Sequence, residues 1–242
     1  MDPKKEVEKI VDWLITKVNN AGAKGLVFGL SGGIDSCLLA ALCQKAYPQN
    51  ILGIIMPCHS NPQDREDALL MAETFSIPVK EVDLSPVYDQ LLNQLSVAPE
   101  ERNSKELALA NIKPRLRMNV LYYYASINSY LVAGAENRSE LYIGYFTKYG
   151  DGGADLFPIA HLVKTQVKEI ARYLGIPQEI INKPPSAGLW PGQTDEKELG
   201  FTYEELDNYI LTGKGDEKAK EKIMKMHRNS EHKRKMPEKI VE

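Results

Sequence analysis

The sequence has 242 residues, of which 43% are hydrophobic and 26% are charged. These values are typical of a soluble globular domain with a buried core. The net charge of -3 argues against wholesale binding of nucleic acid. Residues 1–6 are too charged for a signal peptide, and no apolar run approaches the roughly 20 residues that cross a bilayer. We therefore expect a cytoplasmic protein without a membrane partner, built as a single domain over residues 1–242.

The first half of the chain alternates predicted strands and helices. It opens with apolar residues at helical spacing, which predict an amphipathic helix. Three short apolar runs follow as strands, and helical segments separate them. The predicted elements are a helix at 7–18, a strand at 25–30, a helix at 37–43, a strand at 51–56, a helix at 64–75 and a strand at 79–84. This alternation indicates a parallel sheet with crossover helices.

The second half is mostly helical. Residues 104–128 have a helical pattern, and Pro114 is expected to kink this helix or to separate two helices. Residues 129–134 predict a fourth strand and residues 162–174 a helix, whereas residues 183–200 are rich in Pro and Gly and predict a long loop. The expected fold class is α/β, a single doubly wound domain whose mostly parallel sheet is flanked by helices.

The three cysteines, Cys37, Cys43 and Cys58, are an odd number and lack metal-ligand spacing. Cys37 and Cys43 belong to the apolar helical run at 37–43, where burial accounts for them. The sequence therefore predicts inert thiols.

A glycine-rich turn, Ser31-Gly32-Gly33-Ile34-Asp35-Ser36, follows the first predicted strand and precedes a helix. This arrangement brings backbone N–H groups and the positive end of a helix to one point, which suits a phosphate group. The turn has neither the Walker A pattern nor the Gly-x-Gly-x-x-Gly pattern. It also lacks a cation, so a metal and basic residues from elsewhere must offset the phosphate charge, and Asp35 is a natural metal ligand. The alternative is a simple glycine turn in which Asp35 and Ser36 cap the helix.

The strand, the Ser-Gly-Gly-x-Asp-Ser turn and the helix together resemble the pyrophosphate loop of the N-type ATP pyrophosphatases. This resemblance implies an adenine nucleotide alpha-hydrolase-like fold. It also implies cleavage of ATP between the α and β phosphates, so that an oxygen of the substrate is adenylated and a nitrogen or sulfur nucleophile displaces AMP. The loop alone does not select a member of the superfamily.

A longer motif selects one member. Residues 144–155 read Gly-Tyr-Phe-Thr-Lys-Tyr-Gly-Asp-Gly-Gly-Ala-Asp and closely resemble the signature of the ammonia-dependent NAD synthetases. Further matches to the same family lie at 111–118, 164–167, 183–196, 198–203 and 231–234, so the resemblance covers almost the whole chain. It implies a magnesium-dependent homodimer that adenylates the nicotinate carboxylate of deamido-NAD+ with ATP and amidates it with free ammonia.

The resemblance also implies roles for individual residues. Two carboxylates, Asp35 and Glu140, are expected to hold Mg2+, and with Lys164 they form the expected catalytic set. The expected ATP-binding residues are Gly29, Leu30, Ser31, Gly32, Gly33, Ile34, Asp35, Ser36, Ala135, Lys164 and Ser186. The expected residues for deamido-NAD+ are Arg115, Lys148, Asp155, His232 and Lys233.

Several of these residues have an ordinary alternative when considered alone. Glu140 can be a carboxylate that favours a helix start, Lys164 a solvated helix residue and Arg115 a surface ion-pair partner. Ala135 departs from the family, which commonly has threonine there, and the departure removes a hydroxyl expected near ATP.

Two other functions are compatible with parts of the sequence. An RNA-modifying member of the superfamily would use the basic residues near the C-terminus, but acidic residues are interleaved with them. A non-catalytic nucleotide sensor would be expected to lack one of the three residues Asp35, Glu140 and Lys164, and all three are present.

Overall fold

The structure is a computed structural model that describes residues 1–95, 106–186 and 194–240. At its centre lies a parallel sheet of four strands in the order β3-β2-β1-β4. The strands are β1 Gly25–Gly29, β2 Ile51–Ile55, β3 Val79–Glu81 and β4 Tyr130–Val132. The strand order reverses at β1, between β2 and β4. In open α/β sheets, ligands bind in the crevice beyond the carboxyl ends of the strands at such a reversal.

Helices connect the strands and then continue beyond them to the C-terminus. Among the residues that the structure describes, no helix is long and apolar enough to cross a membrane. The helices are α1 Pro3–Asn20, α2 Ile34–Ala46, α3 Pro62–Thr74, α4 Ser85–Gln94, α5 Glu106–Ala110, α6 Ile112–Asn128, α7 Arg138–Ile143, α8 Lys164–Leu174, α9 Gln178–Asn182, α10 Asp195–Leu199, α11 Tyr203–Thr212, α12 Glu217–Asn229 and α13 Glu231–Arg234.

Both faces of the sheet are covered. Because side chains alternate along a strand, Leu26 and Phe28 of β1 enter one apolar core, whereas Val27 enters the other. The first core adds Leu14 of α1, Leu38 of α2 and Val167 of α8, and the second adds Tyr88 of α4 and Ala125 of α6. Helices on both faces of a parallel sheet confirm the predicted doubly wound α/β fold.

The late helices form a smaller apolar cluster of their own. It joins Ile143 of α7, Leu199 of α10, Leu206 of α11 and Ile223 of α12. This cluster supports α7, the helix that carries Glu140, and brings the C-terminal helix α13 close to it.

Two details differ from the sequence-based expectation. The helical stretch breaks at Asn111, between α5 and α6, and not at Pro114. Pro114 lies in the first turn of α6, where a missing N–H costs no intrahelical hydrogen bond. The predicted loop at 183–200 contains the short helix α10, and its residues 187–193 lie outside the described part of the chain.

Candidate active site

The predicted phosphate loop, residues 31–36, is folded around two serine hydroxyls. Ser31 and Ser36 approach each other with 3.0 Å between their Oγ atoms, and the Ser36 hydroxyl donates to the carbonyl oxygen of Gly33 at 2.9 Å. Gly32 adopts a φ of +77°, and a Cβ built there would lie 2.3 Å from the carbonyl oxygen of Asp64. Only glycine fits this position, because both the backbone angle and the close approach of α3 exclude a side chain.

Helix α2 begins directly at this loop. Its N-cap residue is Gly33, which has no side chain to cap the first backbone N–H groups. Unsatisfied N–H groups at a helix N-terminus form a ready anion site. Asp35 lies in the same first turn, so a cation must lie near its carboxylate if a phosphate chain is to bind beside it.

The three residues expected to be catalytic meet at this point. The ammonium of Lys164 lies 2.5 Å from Oδ2 of Asp35 and 3.0 Å from Oε1 of Glu140. The Lys164 side chain is 3% exposed, against 17% for Asp35 and 14% for Glu140. One buried cation therefore bridges two carboxylates that come from different helices.

Burial and neighbouring charges shift the pKa values of the groups at this point. Burial by itself would lower the pKa of Lys164, but Asp35 and Glu140 raise it, so the ammonium stays charged. Burial raises the pKa of Glu140 to about 7, although Lys164 opposes this change. A third carboxyl nearby, Glu136, has a pKa raised well above its usual range by burial and by the charges of Asp151 and Glu140. Both shifts favour the neutral carboxyl, and a cation bound nearby would oppose them by stabilising the charged forms.

Asn137 orients both carboxylates. Its fully buried side chain donates to Oδ1 of Asp35 at 2.8 Å and accepts from the backbone N–H of Glu140 at 3.0 Å. The Glu140 side chain accepts in return from the backbone N–H of Asn137 at 3.4 Å, which completes a capping box at the start of α7. Sequence reasoning missed Asn137, although Asn followed three residues later by Glu is a recognisable signal for a helix start.

Side chains of two other helices anchor the start of α8, where Lys164 lies. Its backbone N–H donates to Oγ of Ser139 at 3.0 Å, and the next N–H, from Thr165, donates to Asp207 at 2.7 Å. The ring of Tyr203 lies beneath the ammonium, with 4.9 Å from Nζ to the ring centroid. The Tyr203 hydroxyl donates to Asp195 at 3.0 Å. Ser139, Asp207 and Tyr203 were not identified from the sequence, because their roles depend on helices that meet only in the folded chain.

Four of the five residues expected to contact deamido-NAD+ belong to one group. The Lys148 ammonium donates to the carbonyl oxygen of His232 at 2.6 Å, and Nε of Arg115 donates to the carbonyl oxygen of Lys148 at 3.4 Å. Lys233 follows His232 in helix α13. The structure thus brings the cations of α6, of the 144–155 segment and of α13 together.

Lys233 and Arg234 attach α13 to the end of α7. Lys233 donates to the carbonyl oxygens of Gly144 and Phe146 at 2.8 and 2.7 Å. Arg234 donates to the carbonyl oxygens of Leu141 at 3.1 Å and Tyr142 at 3.2 Å. Cations at a helix C-terminus satisfy its free carbonyls and favour its dipole. Arg234 therefore fixes the location of Lys233.

The remaining expected residues lie in other surroundings. Asp155 accepts from the backbone N–H of Val132 at 2.8 Å and from the Tyr122 hydroxyl at 3.0 Å, so its carboxylate stabilises the edge strand β4. Ala135 packs against the first apolar core. Ser186 is exposed on the segment that follows α9.

The donor set is compatible with magnesium. Magnesium prefers oxygen ligands and commonly binds through one or two carboxylates together with substrate phosphates. Asp35 and Glu140 supply carboxylates of this kind beside the phosphate loop. Among the described residues, no group of three or more His, Cys, Asp or Glu could hold a metal ion. A metal here would therefore depend on oxygens of the nucleotide as well.

Comparison with known proteins gives a consistent result. The NAD synthase family model matches residues 6–237. The sequence is 54% identical to the NH(3)-dependent NAD(+) synthetase of Carboxydothermus hydrogenoformans over 96% of each chain. Among solved structures, the chain is similar to an NMN synthetase from Francisella tularensis, with a TM-score of 0.94, 39% identity and 99% of each chain covered. It is also similar to an NH3-dependent NAD synthetase from Campylobacter jejuni, with a TM-score of 0.82, 32% identity and 100% of each chain covered. These matches extend over the phosphate loop, the bridged carboxylates and the C-terminal cations alike, and the chain therefore belongs to the NAD synthase family.

Proposed function

We propose that this chain is an ATP-dependent ligase that converts deamido-NAD+ and ammonia to NAD+, AMP and pyrophosphate, the final step of NAD biosynthesis. The observation that carries the proposal is the group formed by Asp35, Lys164 and Glu140 at the start of the phosphate-loop helix. Relatives up to 54% identical over nearly their whole length are named NH(3)-dependent NAD(+) synthetases.

The chemistry requires two steps. A carboxylate is a poor acceptor for ammonia, because oxide is a poor leaving group. In the first step a nicotinate oxygen attacks the α-phosphorus of ATP, an acyl–O–P bond forms and pyrophosphate leaves. In the second step the nitrogen of ammonia attacks the acyl carbon, the C–O bond breaks and AMP leaves with the electron pair. The nitrogen then loses a proton and the amide remains.

The first step brings an anion to an anion, and the site is built to reduce that repulsion. The free N–H groups at the start of α2 are suited to the phosphates. Lys164 keeps a buried positive charge beside the loop, where it would stabilise negative charge on the nucleotide. Mg2+ bound to Asp35 and Glu140 would neutralise phosphate oxygens and the developing charge on pyrophosphate. Lys164 and the metal together would supply the cation that the loop lacks.

The dinucleotide acid is proposed to bind near Arg115, Lys148, His232 and Lys233. These residues form one basic group, and deamido-NAD+ carries a carboxylate and a pyrophosphate. Asp155 is proposed for the same substrate on resemblance alone. A homodimer and a cytoplasmic location remain predictions.

A second candidate substrate is the acid mononucleotide, which would be converted to NMN. The similarity to the Francisella tularensis NMN synthetase, with a TM-score of 0.94, favours it. The closer sequence identity to NH(3)-dependent NAD(+) synthetases favours the dinucleotide. Comparing kcat/KM for the two acids under one set of conditions decides between them, and we expect the larger value for deamido-NAD+.

The proposed reaction has a direct test. Purified protein is supplied with ATP, Mg2+, ammonium and deamido-NAD+, and NAD+, AMP and pyrophosphate are measured. The expected result is equal amounts of the three products, and none when deamido-NAD+ is omitted. Release of ADP and phosphate, or no consumption of ATP with either acid, would contradict the proposal. A nucleotide sensor would bind ATP without this turnover.

A further inference from the structure

Lys183 attaches the segment that carries Ser186 to helix α3. Its ammonium lies 2.7 Å from Oδ1 of Asp64 and 2.5 Å from Oδ2 of Asp67. Lys183 is the C-cap residue of α9, and its extended backbone leads the chain towards Ser186. One side chain therefore connects two parts of the chain that are more than a hundred positions apart, with separations of 119 and 116 residues.

These ion pairs lie against the phosphate loop. A Cβ built on Gly32 would lie 2.3 Å from the carbonyl oxygen of Asp64 and 2.9 Å from Cβ of Asp67. The first two turns of α3 thus contact the loop at the glycine with the left-handed backbone. The segment that Lys183 attaches to α3 therefore lies beside the proposed phosphate site.

The group has the character of a specific contact and not of a loose surface ion pair. Asp67 is buried, and its other oxygen accepts from Nε2 of Gln63 at 2.8 Å. The Lys183 side chain is 26% exposed. Burial would lower the pKa of Lys183, but hydrogen bonds to Asp64 and Asp67 raise it, so the ammonium remains charged.

The charges have a consequence for ATP. Asp64 and Asp67 place two negative charges beside a loop that is suited to a polyanion, and Lys183 cancels one of them. Without Lys183 both carboxylates would repel the phosphates across a partly buried, weakly screened region. The contact thus both locates the chain leading to Ser186 and lowers the local negative charge.

We propose that Lys183 is a positioning residue for ATP. By binding Asp64 and Asp67, Lys183 holds residues 183–186 beside the phosphate loop. The inference rests on the proposed function, since it takes ATP as the nucleotide of that loop. It assigns no chemical step to Lys183. Its expected effect is on the affinity for ATP and not on that for the acid substrate.

The test uses Lys183→Met, which keeps the length of the side chain and removes its charge. ATP binding is measured by calorimetry with Mg2+, and KM is measured for both substrates. We expect the Kd and KM for ATP to rise by about tenfold or more, which is the size of effect that loss of a charged hydrogen bond produces. The KM for deamido-NAD+ is expected to stay the same, and Lys183→Arg is expected to restore most of the ATP affinity.

The matched control is Lys220→Met, which removes the exposed ion pair to Glu217 at 2.7 Å within helix α12. It should leave all three constants unchanged. A double-mutant cycle adds specificity: Lys183→Met should weaken ATP binding much less in an Asp67→Asn background than in the wild type, because Lys183 and Asp67 act through one contact.

The outcomes separate the two proposals. Wild-type protein that binds no ATP would overturn the proposed function. Wild-type protein that binds ATP, with Lys183→Met binding it equally well, would overturn the role of Lys183 alone. Equal increases in KM for both substrates would also overturn that role, since they indicate general structural damage. If Lys183→Met loses its cooperative unfolding transition, Lys183→Gln carries the same test, since it also removes the charge, and an unchanged Kd for ATP overturns the inference.

Discussion

The side-chain amide of Asn137 donates a hydrogen bond of 2.8 Å to Oδ1 of Asp35, across 102 positions of sequence. The same side chain caps helix α7, which carries Glu140. Asn137 therefore sets the relative placement of the two carboxylates that are proposed to hold Mg2+. It does so from the segment after β4, at the side of the sheet where the strand order reverses.

Replacing Asn137 by alanine should lower kcat, an effect that loss of a helix N-cap alone does not produce. Partners that orient metal ligands typically contribute 10- to 100-fold, and we expect a decrease in kcat of about that size. The thermal midpoint should also fall, because an N-cap contributes about 1 kcal/mol. The control is Asp216→Ala, which removes the N-cap of α12. Asp216→Ala should lower the midpoint with kcat unchanged, and a similar kcat for both variants would remove Asn137 from the site.

Asp35→Asn should abolish adenylation and leave the protein folded. The amide has no charge with which to hold magnesium, and we expect a loss of rate of several orders of magnitude. The fold should persist because Glu140 still neutralises Lys164 and the new amide oxygen can still accept from Asn137. Rates are measured at saturating Mg2+ together with a melting curve. A variant that keeps a tenth of the wild-type rate would refute the assignment of Asp35.

Glu140→Gln should behave like Asp35→Asn, and the double variant should be no slower than either single variant. Residues that serve one ion act as a unit, so their effects do not add. Removal of divalent metal with EDTA should stop turnover, and added Mg2+ should restore it. Multiplicative losses in the double variant would mean that the two carboxylates have separate roles.

Arg115→Ala should weaken the binding of deamido-NAD+ more than the binding of ATP. Loss of a charged contact costs on the order of 1.5–3 kcal/mol of binding free energy, and calorimetry measures it for each substrate. Arg172, an exposed residue of α8, is a suitable control position. If the ATP affinity fell and the deamido-NAD+ affinity did not, the two subsites would have been exchanged.

Lys233→Ala should also weaken the binding of deamido-NAD+ more than that of ATP, and it should lower the melting temperature. The stability loss is expected because the Lys233 ammonium also binds the carbonyl oxygens of Gly144 and Phe146. Comparing the two variants therefore separates substrate binding from support of the 144–155 segment. Unchanged affinity for deamido-NAD+ in Lys233→Ala would leave this residue with a structural role alone.

Free ammonia, and not glutamine, should be the nitrogen source. Glutamine hydrolysis requires an activated cysteine, whereas Cys37, Cys43 and Cys58 are all buried. Burial raises the pKa of Cys58, so its thiol stays protonated at neutral pH. The rate should rise with pH near neutrality, because ammonium is inert and its deprotonation yields the nucleophile. NAD+ formed from ammonium-free glutamine, and abolished by Cys58→Ser, would overturn this prediction.

Gly32→Ala should damage the phosphate loop. Alanine in the left-handed region costs about 1–2 kcal/mol, and here its Cβ also meets Asp64. Gly213→Ala is the matched control, since Gly213 has a φ of +71° and open space around it. Both variants should lose stability in denaturant unfolding, Gly32→Ala more so, and only Gly32→Ala should lose ATP binding. Equal stability losses would mean that α3 moves aside at little cost.

The sequence by itself determined the alternation of strands and helices, the phosphate loop and the family, because each depends on neighbouring residues. Periodicity reports which face of an element is buried, and a glycine turn between strand and helix reports a local backbone shape. An error in position is local as well: the sequence predicts a kink or a break between two helices at Pro114, whereas the break lies at Asn111 and Pro114 lies in a first turn, where proline is tolerated.

Tertiary structure alone decided which side chains meet. Lys164 lies 129 positions from Asp35, and no periodicity in the sequence indicates that its ammonium bridges Asp35 and Glu140. The same holds for Asn137, which holds Asp35, and for Lys183, which binds Asp64 and Asp67. Such contacts arise where separate helices converge beyond the carboxyl ends of a parallel sheet. Their energies depend on distance and burial in three dimensions, which the order of residues along the chain does not specify.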